Sequence, residues 1–238
     1  GYTLGAIRKH RSELFAANPE PDQLDLAKKT ISVVGRDNIL HAQDKTWVWN
    51  QSGVWEICLD RTIKQIAQRV IDSEEIDVSA GLVNGVSDVL KSEINSADHL
   101  FNLGNPETVN CLNGQLELED GIFQLRPHKR EEYRTTQIPI SYDPKASAKR
   151  FQRFLTEIFE SDHDTDDKIE CLLQMIGYTL MSHSRHEKFI MLIGNGANGK
   201  SVLLTIIEAL CGSSNVAGVQ PSKFESSFQR AHLHNKLA

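Results

Sequence analysis

The chain has 238 residues, a formal net charge of -6, an apolar share of 39% and a charged share of 24%, values typical of a soluble globular protein with one or two domains. The acidic balance argues against a surface that coats duplex nucleic acid along its whole length. The apolar runs fall well short of the ~18 residues of a membrane span, and the start lacks the pattern of a secretory signal, so a cytoplasmic protein with no membrane partner is expected.

In chain order, Leu4, Ile7, Leu14 and Phe15 among basic residues predict a helix over residues 2–17. Past Asn18-Pro19-Glu20-Pro21, Asp22 is placed to cap a second helix reaching about Val34. The period then changes. Trp47-Val48-Trp49 and Val54-Trp55-Glu56-Ile57 flank Asn50-Gln51-Ser52-Gly53, the pattern of a hairpin with a glycine-containing turn. Asp60 is next expected to cap residues 61–71, with Ile63, Ile66, Ala67 and Val70 on one face, and a further helix fits residues 80–94.

Between 104 and 144 the signals are β again, with a run over 111–118, a turn at Asp120-Gly121 and a second run over 122–125. Residues 146–160 set Phe151, Phe154, Leu155, Ile158 and Phe159 on one helical face, and residues 165–181 do the same with Ile169, Leu172, Leu173, Ile176 and Leu180. The apolar run 189–193 predicts a strand, and residues 201–210, followed by Gly212, predict a helix with a glycine C-cap.

Between that strand and that helix, residues 194–201 read Gly-Asn-Gly-Ala-Asn-Gly-Lys-Ser, which fits a Walker A loop. Glycines there let successive N–H groups point inward at phosphate oxygens, and the helix N-terminus favours the same anion. The predicted ATP site comprises Gly194, Asn195, Gly196, Ala197, Asn198, Gly199, Lys200, Ser201 and Val202. In it Lys200 reaches the β- and γ-phosphates as the catalytic cation, and the Ser201 hydroxyl is the Mg²⁺ ligand. No apolar strand ending in an acid follows, so the acid that completes a magnesium site is expected beyond Ala238. The sequence thus reads as a fragment, expected to bind nucleotide without hydrolysing it alone. The fold class expected is α/β: an α+β region over 1–144, a helical connection over 145–186, and the first part of a P-loop (AAA+-like) NTPase over 187–238.

Other constellations favour ordinary explanations. Asp162, Asp164, Asp166 and Asp167 begin like a calcium loop, but a sixth-position glycine and a twelfth-position glutamate are missing, so acids at a helix N-terminus are the better account. His183 and His186 lack a third ligand, and His232 and His234 would share one face of a strand. Cys58, Cys111, Cys171 and Cys211 stand far apart, which suits reduced thiols rather than zinc. Arg126, His128, Lys129, Arg130 and Arg134, with Tyr133, form the one dense basic cluster; a DNA-phosphate strip and a solvated loop or subunit contact both fit, since Glu131 and Glu132 offset part of the charge. Trp47, Trp49 and Trp55 suit a hairpin core better than a base-stacking surface.

The stretch 111–118, then Arg126-Pro127-His128, Ile138-Pro139-Ile140-Ser141-Tyr142-Asp143, Ile176-Gly177-Tyr178 and the run from Lys188 into Gly196-Ala197-Asn198-Gly199-Lys200-Ser201 resemble the phage and plasmid primase-helicase family, superfamily 3 helicases related to the poxvirus primase-helicase. The resemblance covers most of residues 35–238. It implies an enzyme of the bacterial host cytoplasm: an ATP- and Mg²⁺-dependent motor that assembles into a homo-oligomeric ring, usually a hexamer, and unwinds DNA during replication. It also implies that the second acidic motif, a polar sensor and an arginine finger lie beyond Ala238, and primase motifs before Gly1. The DNA partner would be single-stranded or forked, with Arg126, Lys129 and Arg130 as candidate contacts. Two rival classes remain at this point: another P-loop enzyme, such as a DNA-packaging ATPase or a small-molecule kinase, and a non-catalytic assembly or DNA-docking module. Binding measured apart from hydrolysis separates the module from the enzymes.

Overall fold

The structure is a computed structural model that describes residues 21–160, 162–194, 196, 198–233 and 236–238. In chain order it contains α1 (Gln23–Val34), β1 (Ile39–Ala42), β2 (Lys45–Trp49), β3 (Trp55–Cys58), α2 (Asp60–Ser73), α3 (Ala80–Glu93), β4 (Val109–Cys111), β5 (Gly114–Glu119), β6 (Ile122–Arg126), α4 (Lys149–Phe159), α5 (Thr165–Thr179), α6 (Lys200–Cys211) and α7 (Ser227–Ala231). Among the described residues this is a mixed α/β chain with seven α-helices and two small antiparallel sheets, ordered β1-β2-β3 and β4-β5-β6. The predicted α+β character of the first region is present, whereas the parallel sheet of a P-loop core is not among the described elements. The helix expected over residues 2–17 lies outside the described residues.

The described residues divide into two compact units, one built from those up to 48 and from 56–99, the other from 49–55 and from those beyond 99. In the first, α1, α2 and α3 close over one apolar core in which Leu26, Ala27, Ile63, Ala67, Ile71, Val86 and Leu90 are buried, joined by Ile39 of β1. Each such leucine or isoleucine contributes about 1.5–3 kcal/mol by leaving water. Local signals set the helix starts. The Asp22 carboxylate accepts from Asp25 N at 2.9 Å, as expected from sequence, and the Ser79 hydroxyl accepts from Leu82 N at 3.2 Å.

Asp60 does not cap α2. Leu59 occupies that position with no side-chain bond, and Asp60, already helical, instead pairs with Lys64 at 2.7 Å and with Lys91 of α3 at 2.6 Å. Strand β1 is an addition to the sequence expectation; it pairs with β2 in the register Ile39↔Val48 to Ala42↔Lys45.

In the second unit β5 and β6 form the expected hairpin, Leu118 opposite Phe123, with Asp120 and Gly121 at φ 50° and 78° in its turn. The far edge of β4 is covered by residues 138–140: Ile138 N donates to Asn110 O at 2.9 Å and Leu112 N to Ile140 O at 3.0 Å. The hairpin tip 49–55 belongs to this unit. Trp55 is 2% exposed, its indole N–H donates to Arg130 O at 3.0 Å, and its ring stacks 5.1 Å from Tyr133.

Helices α4, α5 and α6 share a second apolar core of Leu155, Leu172, Ile176 and Leu203, flanked by Phe154, Ile158 and Leu192. Two members of the predicted α5 stripe fall elsewhere: Leu173 is exposed, and Leu180 packs with Val109, Cys111 and Ile138. The run 189–193 is not a strand. No described segment pairs with it, and Phe189, Met191 and Ile193 are 80, 68 and 84% exposed, because a strand is defined by a neighbour and not by its own composition. The segment around His232 is likewise the C-cap of α7 and not a strand; His234 lies outside the described residues.

Candidate functional site

The predicted loop-to-helix transition is present. Helix α6 begins at Lys200, and its N-cap Gly199 has φ 81° and no side chain to cap the first-turn amides, so these donors are left for another acceptor. Gly199 is needed twice over. Besides the left-handed backbone, a Cβ there would stand 2.8 Å from Ile158 and 3.1 Å from Phe154, so the bend rests directly on α4. Gly196 is also left-handed, at φ 101°.

Lys200 turns back into the mouth of the bend. Its ammonium donates to the Gly194 carbonyl at 3.0 Å and to Asn198 Oδ1 at 2.6 Å. Gly194, Gly196, Asn198, Gly199 and Lys200 thus converge on one opening, with Ser201 and Val202 exposed on the first turn of α6. Asn195 and Ala197, also assigned to the site from sequence, lie outside the described residues.

The opening belongs to a cavity of about 680 Å³, within the range of small-molecule sites. The run from Ile190 to Ile193 lines it too, and further walls were not foreseen from sequence: Ile158 and Phe159 from the end of α4, Asp162 after it, and Lys168, Cys171 and Leu172 from α5. Lys168 pairs with Asp162 at 2.7 Å and Asp164 at 2.8 Å, which raises its own pKa above the usual lysine range and lowers that of Asp164. The acids first compared with a calcium loop therefore have a lysine as partner. The one available signal was the i,i+4 spacing of Asp164 and Lys168, which is common on helices and carries no ligand chemistry.

The remaining candidates resolve locally. Arg126 donates two bonds to Glu119, Lys129 reaches Glu117 at 2.8 Å, Arg130 lies 3.3 Å from Glu131, and Arg134, nearly buried, is held by Glu132 at 2.8 Å and by Asn105 O at 2.9 Å. Each arginine and lysine of the basic cluster thus faces a carboxylate, and the His128 ring lies 2.8 Å from Cys111 O. Trp47 is buried, and its indole N–H donates to Ala42 O at 3.2 Å. His183 and His186 follow α5 in a loop with ring centroids 6.1 Å apart, both against Tyr178. The four cysteines are free; burial raises the thiol pKa of Cys111, Cys211 and Cys58, and Cys171 is exposed.

Helices and small sheets over residues 26–160 are what a family model described as D5 N terminal like matches. The chain belongs to this family, the N-terminal domain of D5-like phage and plasmid primase-helicase proteins. It is thus of a DNA-replication type, and the resemblance read from the sequence is sustained. The matched span ends at residue 160, so the glycine-rich bend lies outside it. No helix among the described residues is long and apolar enough to cross a membrane.

Proposed function

We propose that residues 194–201 form a Walker A loop that binds ATP with Mg²⁺, and that in the intact replication protein this binding drives DNA unwinding within a homo-oligomeric ring. One observation supports it above the others: a Gly-x₄-Gly-Lys-Ser bend delivers Lys200 and the uncapped start of α6 to the same opening. The Gly194 carbonyl and the Asn198 carboxamide hold the ammonium where an anion can replace them. A triphosphate offers Lys200 a charged acceptor in place of two neutral ones, and charge-assisted bonds are about twice as strong. Lys200 then spreads the charge that develops on the γ-phosphoryl oxygens during in-line displacement.

The donor chemistry suits Mg²⁺ as a shared ligand. Ser201 presents one exposed hydroxyl, and no trio of His, Cys, Asp or Glu among the described residues forms a metal cage of its own. Held by the Ser201 hydroxyl, the ion would supply positive charge to phosphate oxygens beside that of Lys200.

The test is calorimetric. Wild-type protein is expected to bind MgATP, and Lys200→Ala to lose at least about ten-fold in affinity with unchanged circular dichroism, as removal of a charged hydrogen-bond partner implies. Equal affinity in the two proteins removes the proposal. Unwinding is tested on the full-length replication protein by DNA-stimulated hydrolysis.

A further inference from the structure

The lining of the cavity at the glycine-rich bend is of two chemical kinds. Backbone donors and Lys200 supply one; Ile158, which rests against Gly199, with Phe159, Leu172 and the run from Ile190 to Ile193, supplies apolar walls, and the Asp162–Lys168 pair is part of the same lining. A site for phosphate alone has no use for the apolar walls, since inorganic triphosphate carries no apolar surface. A nucleoside does: a base offers flat apolar faces, and its edge, like the sugar, offers hydrogen-bond donors and acceptors. An aspartate and a lysine held 2.7 Å apart present an acceptor and a donor side by side, which matches such an edge.

Resting on the ATP-loop reading above, we infer that the nucleoside end of the ligand lies between the C-terminal end of α4 and α5, against Phe159 and Leu172, with Lys168 and Asp162 as its polar contacts. The exchange is balanced for Lys168, which trades part of its contact with two half-buried carboxylates for a ligand acceptor and stays charged throughout. Asp164 remains to hold the ammonium at 2.8 Å while Asp162 turns to the ligand.

Cys171 provides a readout. It lines the cavity and is exposed, whereas Cys111 and Cys211 are buried and Cys58 belongs to the other compact unit. A bound nucleoside covers the Cys171 thiol; a bound triphosphate without one leaves it open.

The experiment measures the rate of Cys171 alkylation by peptide mass spectrometry on the whole chain, with MgATP or with magnesium tripolyphosphate, both at concentrations shown by calorimetry to saturate. The expected result is at least about ten-fold slowing at Cys171 by MgATP, none by tripolyphosphate, and no change at Cys58 with either. In parallel, Lys168→Ala is expected to bind MgATP about ten-fold more weakly while keeping its affinity for tripolyphosphate, and Lys168→Arg to restore most of the loss. If MgATP binds yet leaves Cys171 as reactive as before, if tripolyphosphate protects equally, or if Lys168→Ala binds MgATP normally, the nucleoside lies elsewhere and the inference falls while the phosphate loop stands. If neither ligand gives heat, the ATP-loop reading fails and takes this inference with it.

Discussion

At Gly199 two demands meet, a φ of 81° and side-chain atoms of Ile158 and Phe154 where a Cβ would go. Gly199→Ala is therefore expected to cost about 1–3 kcal/mol from the strained backbone, with repacking against α4 in addition. Denaturant unfolding monitored on the second unit measures it. A stability equal to wild type would show that the bend relaxes freely.

Asp60 is a milder case. Bonds from Lys64 and Lys91 lower its pKa below the ordinary aspartate value of about 4, so the folded carboxyl gives up its charge later than the unfolded one as acid is added. Its stabilisation is full above that value and is lost as pH falls through the folded one. The side chain is 46% exposed, so the contribution is small. Asp60→Asn is expected to cost under about 1 kcal/mol at neutral pH and nothing once both forms are protonated. Paired melts at pH 7 and pH 2.5 check the sign.

Among the elements, those whose causes lie within one stretch of chain were legible. The start of α1 is written in Asp22, the buried face of α2 in the spacing of Ile63, Ala67 and Val70, and the β5–β6 turn in Asp120-Gly121. Strand β1 was not. Its hairpin turns through Gln43 and Asp44, both left-handed at φ 52° and 56°, where Asn-Gly is the usual mark, and its pairing with β2 is visible only once the chain has folded. The candidate site divides the same way. The phosphate bend is a contiguous motif; the α4–α5 wall is assembled by packing of Leu155 and Leu172 and has no motif to find.

The hairpin tip also carries an element-scale prediction. Trp55 fills a buried position between Trp49 and Tyr133, so Trp55→Ala is expected to cost about 3–5 kcal/mol in equilibrium unfolding, with Trp55→Phe recovering more than half. A cost below about 1 kcal/mol would mean that the tip is not part of the core.

For the molecule as a whole, charge is handled by local pairing. A formal charge of -6 coexists with a cluster of arginines and lysines because those cations each meet a glutamate from β5 or from the loop after β6. The exposed pairs among them contribute little to stability and are weakened by salt, whereas the Arg134–Glu132 pair is largely buried. Counting cations along the sequence therefore overstated how much positive potential reaches solvent, since the register that brings Glu117 to Lys129 is a property of the folded hairpin.

Phe189 to Ile193 leave the chain with a liability in solution. Five consecutive uncharged apolar residues are chemically suited to stacking with copies of themselves, with Lys188 at one end as the flanking charge that opposes it. Of this stretch Leu192 packs against the core of α4, α5 and α6, and whatever shields the other side chains in the cell also acts as their solubiliser.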